Sequence, residues 1–324
     1  MLDVDLVVVG AGPVGLYAAY YAGFRGLRTA VVDSLPEPGG QIAAFYPEKM
    51  IYDVAGFPGV RGRDLVAGLR DQAQAYRPRW LLGQSACELE RRPDGRLRLT
   101  TTAADVTTRS IVIAGGIGTF SPRPLPVGAE YLGRGVDHFV TDPAQYVGQH
   151  VLVVGGGDSA VDWALTLEPL AASITLVHRR GRFTAHAASM ARLHDSSATV
   201  LTPYVVHELS GPDAVQRAAL RNTDSGDVHE MECSRVVAAL GFTADLGPLN
   251  GWGLRIVDRH IAVDSTMSTG VPGIYAAGDI TDYLGKVRLI SVGFGEAALA
   301  VNNAAAAGDP DAQLFPGHST ETAA

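Results

Sequence analysis

Short apolar runs alternate with helical patterns along this chain. The run Leu6–Val9 precedes a glycine turn and a helical pattern, and the three together span residues 6–25. The same succession recurs at 151–168, and a further apolar run follows each unit, at 29–32 and at 173–177. Short apolar runs bounded by turns are typical of strands buried on both faces. Their alternation with helices predicts parallel α/β sheets.

Two stretches rich in proline and glycine, 115–126 and 241–248, lie on either side of the second βαβ unit. Such stretches are typical of turns and chain crossovers. We therefore predict a first domain made of residues 1–116 and 245–324, and a second domain, residues 117–244, that is inserted in it.

Residues 86–113 alternate apolar and polar positions and contain turn signals, which predicts a small antiparallel β-meander. The predicted fold class is accordingly α/β. It comprises two Rossmann-like, three-layer nucleotide-binding domains, of which the second is inserted in the first, together with this meander.

Composition narrows the class of protein further. Of the 324 residues, 47% are hydrophobic and 19% are charged, which is typical of a well-packed globular protein. The net charge of −8, without a basic run, argues against nucleic-acid binding and against an anionic membrane surface. No apolar stretch reaches the roughly 18 residues that a membrane span needs. We expect a cytoplasmic protein.

The two cysteines, Cys87 and Cys233, lie far apart in the sequence. This spacing argues against a disulfide framework and against a multi-cysteine metal or cluster site. We predict two small buried thiols and no bound metal.

A dinucleotide-binding fingerprint follows the first apolar run. Gly10, Gly12 and Gly15 form a GxGxxG pattern, with Pro13 opening the helical part. In this context the first glycine allows a tight turn, the second lets the backbone approach a pyrophosphate, and the third lets the helix lie close to the sheet. Asp33 ends the next run, where its carboxylate can accept a bond from a ribose hydroxyl and repels a 2′-phosphate. The site therefore suits FAD or NAD, and not NADP.

A second fingerprint follows the run at 151–154. Gly155, Gly157 and Ala160 fit the GxGxxA variant, with Asp158 and Ser159 between them. These residues predict a second nucleotide site at the start of the second helix.

Basic residues replace the acid after the next strand of this second unit. His178, Arg179 and Arg180 stand where the first unit carries Asp33. Because guanidinium groups bind phosphate bidentately, this cluster predicts a site for the 2′-phosphate of NADP(H).

Further motifs identify the chain as similar to a known family. Over nearly its whole length it resembles the thioredoxin-reductase-like ferredoxin–NADP(+) reductases. The segments that carry the resemblance are 10–23, 34–41, 46–58, 155–165, 178–180, 265–267, 276–279 and 291–297. The resemblance implies an FAD domain with an inserted NADP domain, a homodimer, tightly bound FAD, NADP(H) as co-substrate, and ferredoxin or flavodoxin as electron partner.

The resemblance also implies which residues contact the flavin. Tyr46 matches an aromatic residue that stacks on the isoalloxazine ring, and His318 matches a tail residue that covers its other face. No covalent catalyst is expected, so these two are the flavin-flanking candidates. The implied FAD contacts are Asp33, Gln41, Tyr46, Ala86, Phe120, Asp279 and Thr320.

The chain differs from its thioredoxin-reductase relatives and from its own family at particular positions. The segment 136–142, where thioredoxin reductases carry a redox CxxC, contains no cysteine. Thiol–disulfide exchange needs an attacking thiolate and a resolving partner, so disulfide reduction is argued against. Thr184 stands where the family often has an arginine, which leaves the strength of the NADPH preference open.

We predict an enzyme that transfers electrons between NADPH and ferredoxin (or flavodoxin) through FAD. NADPH gives two electrons as a hydride and an iron–sulfur protein accepts one at a time, and a flavin can do both. Lys49, Lys286 and Arg288 are candidate surface cations for an acidic ferredoxin. An NADPH diaphorase or quinone-type flavin reductase, and a flavin redox sensor without turnover, remain as alternatives.

Overall fold

A computed structural model describes residues 2–309 and 311–318. The chain divides into two compact units. The first is Met1–Phe120 together with Ala244–Ala324, and the second is Ser121–Thr243. The assignment of FAD to one predicted domain and of NADP(H) to the other stays a prediction.

The described residues form six α-helices, four of them in the first unit and two in the second. In chain order they are α1 (Pro13–Phe24), α2 (Gly40–Phe45), α3 (Gly62–Gln74), α4 (Asp158–Leu167), α5 (Ala187–His194) and α6 (Ile290–Gly308). Short 3-10 helices occur at Ala129–Tyr131, Pro143–Tyr146 and Gly247–Gly251. Within the described ranges, no helix is both long and apolar enough to cross a membrane.

A five-stranded parallel sheet forms the centre of the first unit, as the apolar runs predict. Its strands, in spatial order, are Ile274–Ala276, Ser110–Ile113, Leu6–Val9, Thr29–Asp33 and Arg79–Leu82. Nearly every residue of the middle strands is buried, which is typical of parallel sheets covered on both faces.

Two different layers cover the sheet of the first unit. On one face, α1 and α6 pack through small buried side chains, among them Ala18, Ala22, Ala300 and Ala304. On the other face lie side chains of the meander and of residues 246–254, among them Leu97, Leu99, Val106, Leu246 and Trp252. The first unit therefore has three layers.

The predicted meander over 86–113 is confirmed for its first part. Its antiparallel strands are Ala86–Arg91, Leu97–Thr101 and Asp105–Thr108, and Leu2–Asp3 adds a parallel edge strand. The prediction is wrong for Ser110–Ile113, which belongs to the parallel sheet. All four residues of that strand are buried, so its apolar run reflects burial on both faces rather than alternation.

Three smaller sheets accompany these elements. Met50–Ile51 pairs with Val60–Arg61, and a further sheet contains Ile256–Val257, His260–Ala262 and Thr281–Asp282. At the two points where the chain changes unit, Thr119–Pro122 and Phe242–Asp245 form a two-stranded sheet.

The second unit is built around its own five-stranded parallel sheet. In spatial order its strands are Val136–Asp137, Arg235–Ala238, His150–Val154, Ser173–Val177 and Thr199–Leu201. An antiparallel sheet of Tyr204–Ser210, Arg217–Asn222 and Val228–Glu232 packs against it. Both predicted βαβ units are therefore present.

Candidate functional site

The glycine turn of the first unit connects Leu6–Val9 to α1. Gly10 has a φ of +108°, and a Cβ on it would lie 2.4 Å from the Ala114 carbonyl oxygen. A Cβ on Gly15 would lie 1.8 Å from the Gly10 carbonyl oxygen. Around Gly12, by contrast, the nearest atom to such a Cβ would be 3.9 Å away. The first and third glycines are thus required by packing, whereas a Cβ on the second would make only an ordinary van der Waals contact, with the Gly40 Cα.

Asp33 ends its strand beside this turn. Its Oδ2 accepts a hydrogen bond from the Ala11 N–H at 2.5 Å, and its Oδ1 accepts one from the Leu35 N–H at 2.8 Å. Burial raises the pKa of the Asp33 carboxyl above its ordinary value, against the lowering effect of these two bonds. The carboxylate is therefore held in one orientation next to the glycine turn.

A cavity of about 420 Å³ opens from the turn, lined wholly by residues of the first unit. Eight of the predicted FAD contacts line it, namely Gly10, Gly12, Pro13, Asp33, Gln41, Tyr46, Ala86 and Asp279. Gly15 lies beneath the turn instead. Sequence reasoning missed further lining residues from separate segments, including Gln84, Leu246, Leu249, Gly278 and Ile290. Only Gly278 and Ile290 stand in or next to a motif that could have indicated them.

Tyr46 and Asp279 face the same cavity from different elements. Tyr46 follows the end of α2 and Asp279 follows the strand Ile274–Ala276. Burial, with a contribution from the Asp279 charge, raises the pKa of Tyr46 to about 12. Burial likewise raises the pKa of Asp279, although the positive charges of Lys286 and Arg288 oppose this. The tyrosine therefore keeps its proton at neutral pH.

Lys286 is not the surface cation that we expected. Its side chain is 3% exposed and pairs with Glu296 of α6, so that expectation is wrong. Arg288 is exposed, with 40% of its side chain accessible, and lies 3.8 Å from Asp282. Lys49 is half-buried.

The C-terminal tail carries two of the predicted residues. The His318 ring is exposed and lies edge-on to Phe315, with 5.2 Å between the ring centroids. His318 does not line the cavity of its own chain, and its role stays a prediction. Thr320 lies outside the described residues. Phe120 belongs to the strand Thr119–Pro122, but its side chain also lies outside the described part of the structure.

The glycine turn of the second unit joins His150–Val154 to α4. A Cβ on Gly155 would lie 2.4 Å from the Ala239 carbonyl oxygen. A Cβ on Gly156 would lie 2.3 Å from the imidazole ring of His178. The histidine ring therefore packs directly on the backbone of the turn. Gly157 is the residue before α4, which begins at Asp158 and contains Ser159 and Ala160.

Thr184 is tied to the same turn. Its backbone N–H and its hydroxyl both donate to the Gly156 carbonyl oxygen, at 2.8 and 3.1 Å. Two residues later, His186 donates its N–H to Asp158 Oδ1 at 2.8 Å, and its Nδ1 lies 2.8 Å from that oxygen. The residue that replaces the family arginine thus anchors its loop to the glycine turn.

The predicted cationic cluster, His178 to Arg180, follows the strand Ser173–Val177 and begins with the histidine that packs on the second glycine turn. Arg179 and Arg180 are exposed and directly follow His178. Burial, together with the charges of both arginines, lowers the pKa of His178, so its ring is neutral at pH 7. Two guanidinium groups and a neutral imidazole therefore accompany the second glycine turn.

The cysteines belong to different units. Cys233 is buried in the second unit, as predicted, whereas Cys87 is only half-buried in the first unit, so the prediction of a buried thiol is wrong there. Both cysteines are free. Burial raises the pKa of Cys233 to about 12, which makes it a poor nucleophile at neutral pH.

Comparison with known proteins identifies relatives over almost the whole chain. The family described as pyridine nucleotide-disulphide oxidoreductase matches residues 4–306. The ferredoxin–NADP reductase of Frankia alni is 58% identical over 97% of this chain and 98% of its own. That of Salinispora tropica is 58% identical over 99% of each chain. The solved thioredoxin reductase of Lactococcus lactis covers 94% of this chain and 99% of its own, with a TM-score of 0.79 and 26% identity.

The chain therefore belongs to the pyridine nucleotide-disulphide oxidoreductase family and, within it, to the thioredoxin-reductase-like ferredoxin–NADP(+) reductases. The α/β fold class is confirmed as well. The thioredoxin reductase of T. acidophilum, at 24% identity and a TM-score of 0.80, has the same fold.

Proposed function

We propose that this chain is a ferredoxin–NADP(+) oxidoreductase that holds FAD tightly in the cavity of the first unit and binds NADP(H) at the second glycine turn. The observation that carries the proposal is the opposite charge beside the two turns. Asp33 provides a fixed carboxylate at the first, and Arg179 and Arg180 provide exposed cations at the second. Relatives 58% identical to this chain are named ferredoxin–NADP reductase.

The first turn fits the pyrophosphate and ribose of FAD. The N-cap residue of α1, Gly12, makes no side-chain cap bond, and the first turn of the helix contains no acidic residue. The backbone amides at this helix end and the positive end of the helix dipole would bind a phosphate of FAD. Asp33 would hold the ribose hydroxyl, and the lack of a side chain at Gly12 would let the phosphates come close to the backbone.

The second turn fits NADP(H). Arg179 and Arg180 would bind the 2′-phosphate, where an acid would repel it. Unlike α1, α4 has an acidic residue in its first turn, Asp158, but the contacts with His186 hold its carboxylate. Thr184 holds the turn through its two bonds to the Gly156 carbonyl oxygen and adds no charge itself.

A bound flavin supplies the redox chemistry, since it accepts a hydride and can release electrons one at a time. The chain positions and shields it. Tyr46 offers an aromatic face and a hydroxyl that keeps its proton, because burial raises its pKa to about 12. Asp279 and the backbone of Gly278 lie at the same cavity wall. No side chain forms a covalent bond in this scheme.

The electron partner would be ferredoxin or flavodoxin, and the chain would act as a homodimer in the cytoplasm. Cys87 and Cys233 are both free and do not form a thiol pair that could relay electrons. This supports transfer from the flavin to an external electron carrier.

Cytochrome c reduction by NADPH, measured with and without added ferredoxin, tests the proposal. We expect ferredoxin to increase the rate severalfold. Reduction that ferredoxin does not stimulate would instead indicate a diaphorase or quinone-type reductase. A flavin that NADPH does not bleach at all would indicate a redox sensor without turnover.

A further inference from the structure

A buried ion pair lies next to the cavity of the first unit. Lys286 precedes α6 and Glu296 lies within it, and their side chains are only 3% and 4% exposed. Lys286 Nζ is 2.5 Å from Glu296 Oε1. Burying two charges is costly unless additional hydrogen bonds satisfy both groups. The other bonds of this pair therefore indicate what it does.

Both partners bind the same backbone residue. Glu296 Oε2 accepts from the Gly278 N–H at 2.7 Å, and Lys286 Nζ donates to the Gly278 carbonyl oxygen at 3.0 Å. Thr281 Oγ1 donates to that carbonyl as well, at 2.8 Å, and the Tyr283 hydroxyl donates to Glu296 Oε1 at 2.6 Å. The N–H and the carbonyl of Gly278 are thus both held by one buried pair of charges.

Gly278 is also fixed by its own conformation. Its φ is +84°, which favours glycine, and a Cβ on it would lie 3.1 Å from Val14 Cγ2 at the start of α1. Gly278 and the following Asp279 line the cavity. Any shift of the turn would move Asp279 and break bonds to both charged groups.

We infer that Lys286 and Glu296 are positioning residues that present Asp279 to the flavin by fixing the backbone of Gly278. The inference rests on the flavin part of the proposed function. Precise placement of a ligand-binding group requires supporting side chains that are themselves held by packing and hydrogen bonds. The alternative is a purely structural role, in which the pair stabilises the fold but does not act through Asp279.

A double-mutant cycle on FAD affinity separates these two roles. FAD is titrated into flavin-free protein carrying Lys286→Met or Glu296→Gln, each alone and combined with Asp279→Asn. If the pair acts through Asp279, each single change should raise the Kd at least about tenfold with Asp279 present, and less than about threefold with Asn in its place. Equal losses in both backgrounds would overturn the inference.

The midpoint potential of the bound flavin gives a second readout. We expect Lys286→Met to shift it with Asp279 present and to leave it nearly unchanged in the Asp279→Asn background. Arg288→Met is the matched control, because Arg288 also acts electrostatically on Asp279 but is exposed. If Arg288→Met weakens FAD binding as much as Lys286→Met does, the loss of affinity comes from the lost positive charge alone. That result would contradict the positioning role of Lys286.

Single changes leave one buried charge without its partner, so they can impair folding. The variant Lys286→Met/Glu296→Leu avoids this, since apolar replacement of a whole buried pair is often tolerated. We expect it to unfold cooperatively and to bind FAD at least about tenfold more weakly than wild type. Wild-type affinity in this folded variant would overturn the inference.

The two proposals fail in different ways. A wild-type protein that binds no FAD would contradict the proposed function, and the inference would fall with it. A wild-type protein that binds FAD, with equal losses in both backgrounds, would contradict only the positioning role.

Discussion

Asp33 illustrates how one residue selects a ligand. Its two oxygens each accept a backbone N–H, from Ala11 and Leu35, so the carboxylate is held rigidly beside the glycine turn. Each oxygen keeps a further lone pair for a ribose hydroxyl. The same negative charge repels a 2′-phosphate, which is why we place FAD here and not NADP.

Asp33→Asn should weaken FAD binding. The amide has only one acceptor oxygen, so one of the two N–H groups would face an NH₂ group and lose its bond. That unsatisfied buried donor costs about 1–3 kcal/mol of folding stability. The ribose hydroxyl loses a charged acceptor, whose hydrogen bond contributes about 1.5–3 kcal/mol, so we expect the Kd for FAD to rise at least about tenfold. Titration of flavin-free protein measures this. Asp71→Asn, on the exposed face of α3, is the control; an equal loss there would contradict the assignment.

The exchange of an acid for arginines at the second site leads to a test of cofactor choice. Arg179→Ala/Arg180→Ala should lower kcat/KM for NADPH by about 10–100-fold, because hydrogen bonds to charged groups contribute about 1.5–3 kcal/mol. The value for NADH should change less than about threefold. Arg217→Ala, on an exposed strand of the same unit, should change neither. Equal losses for both nucleotides would show that the arginines do not bind the 2′-phosphate.

Candidate site residues could be found from the sequence where a known local motif contains them, although the ligands that they bind stay a prediction. The glycines, Asp33 and the arginines each stand in a local pattern of strand, turn and helix. The burial of Lys286 could not be predicted, because Glu296 lies in a helix and Gly278 in a turn that only the fold brings together with the lysine. A lysine is almost never buried unless its charge is paired, and no motif in the sequence indicates that Lys286 has a buried partner.

At the scale of elements, the first glycine turn shows that three glycines of one motif have different physical reasons. Gly10 and Gly15 are glycines because backbone atoms occupy the place of a side chain. Gly12 is glycine although a Cβ on it would make only an ordinary van der Waals contact, 3.9 Å from the Gly40 Cα. We therefore infer that a ligand in the cavity, and not packing within the protein, requires a glycine at position 12.

A pair of substitutions tests this distinction. Gly15→Ala should lower the free energy of unfolding by about 2 kcal/mol or more, because its Cβ would lie 1.8 Å from the Gly10 oxygen. Gly12→Ala should change the stability of the flavin-free protein by no more than about 0.5 kcal/mol, yet raise the Kd for FAD at least about tenfold. Urea unfolding and FAD titration measure the two effects. Normal FAD binding by Gly12→Ala would contradict the assigned role of the turn.

Element types were predicted more reliably than sheet membership. The apolar run at Ser110–Ile113 could be recognised as a strand, but it joins the parallel sheet and not the neighbouring meander. Pairing of distant strands is decided by burial on both faces, and sequence neighbours do not reveal it. The strand Ile274–Ala276, far along the chain, completes the same sheet beside it.

At the scale of the whole molecule, the position of the cysteines decides between two kinds of reductase. Cys87 and Cys233 lie in separate compact units, and burial raises the pKa of Cys233 to about 12. A thiol stays protonated well below its pKa and reacts slowly. Neither residue is expected to take part in electron transfer.

Cys87→Ser/Cys233→Ala should therefore keep ferredoxin-dependent turnover within about twofold of wild type, since thiolate chemistry is not used. A loss of about 1 kcal/mol in the free energy of unfolding is expected from the buried position. Steady-state kinetics and urea unfolding measure the two quantities. Abolished turnover in the folded variant would indicate a thiol step.

The central claim is that electrons pass from NADPH to the flavin and leave from the flavin itself. Anaerobic titration of the FAD-loaded protein with NADPH, followed by oxidised ferredoxin, tests it most directly. We predict that about one equivalent of NADPH per flavin completes the bleaching, because one hydride carries both electrons, and that ferredoxin restores the oxidised spectrum. A requirement for about two equivalents, as a flavin with a redox disulfide would show, or a reduced flavin that ferredoxin cannot reoxidise, would contradict the account.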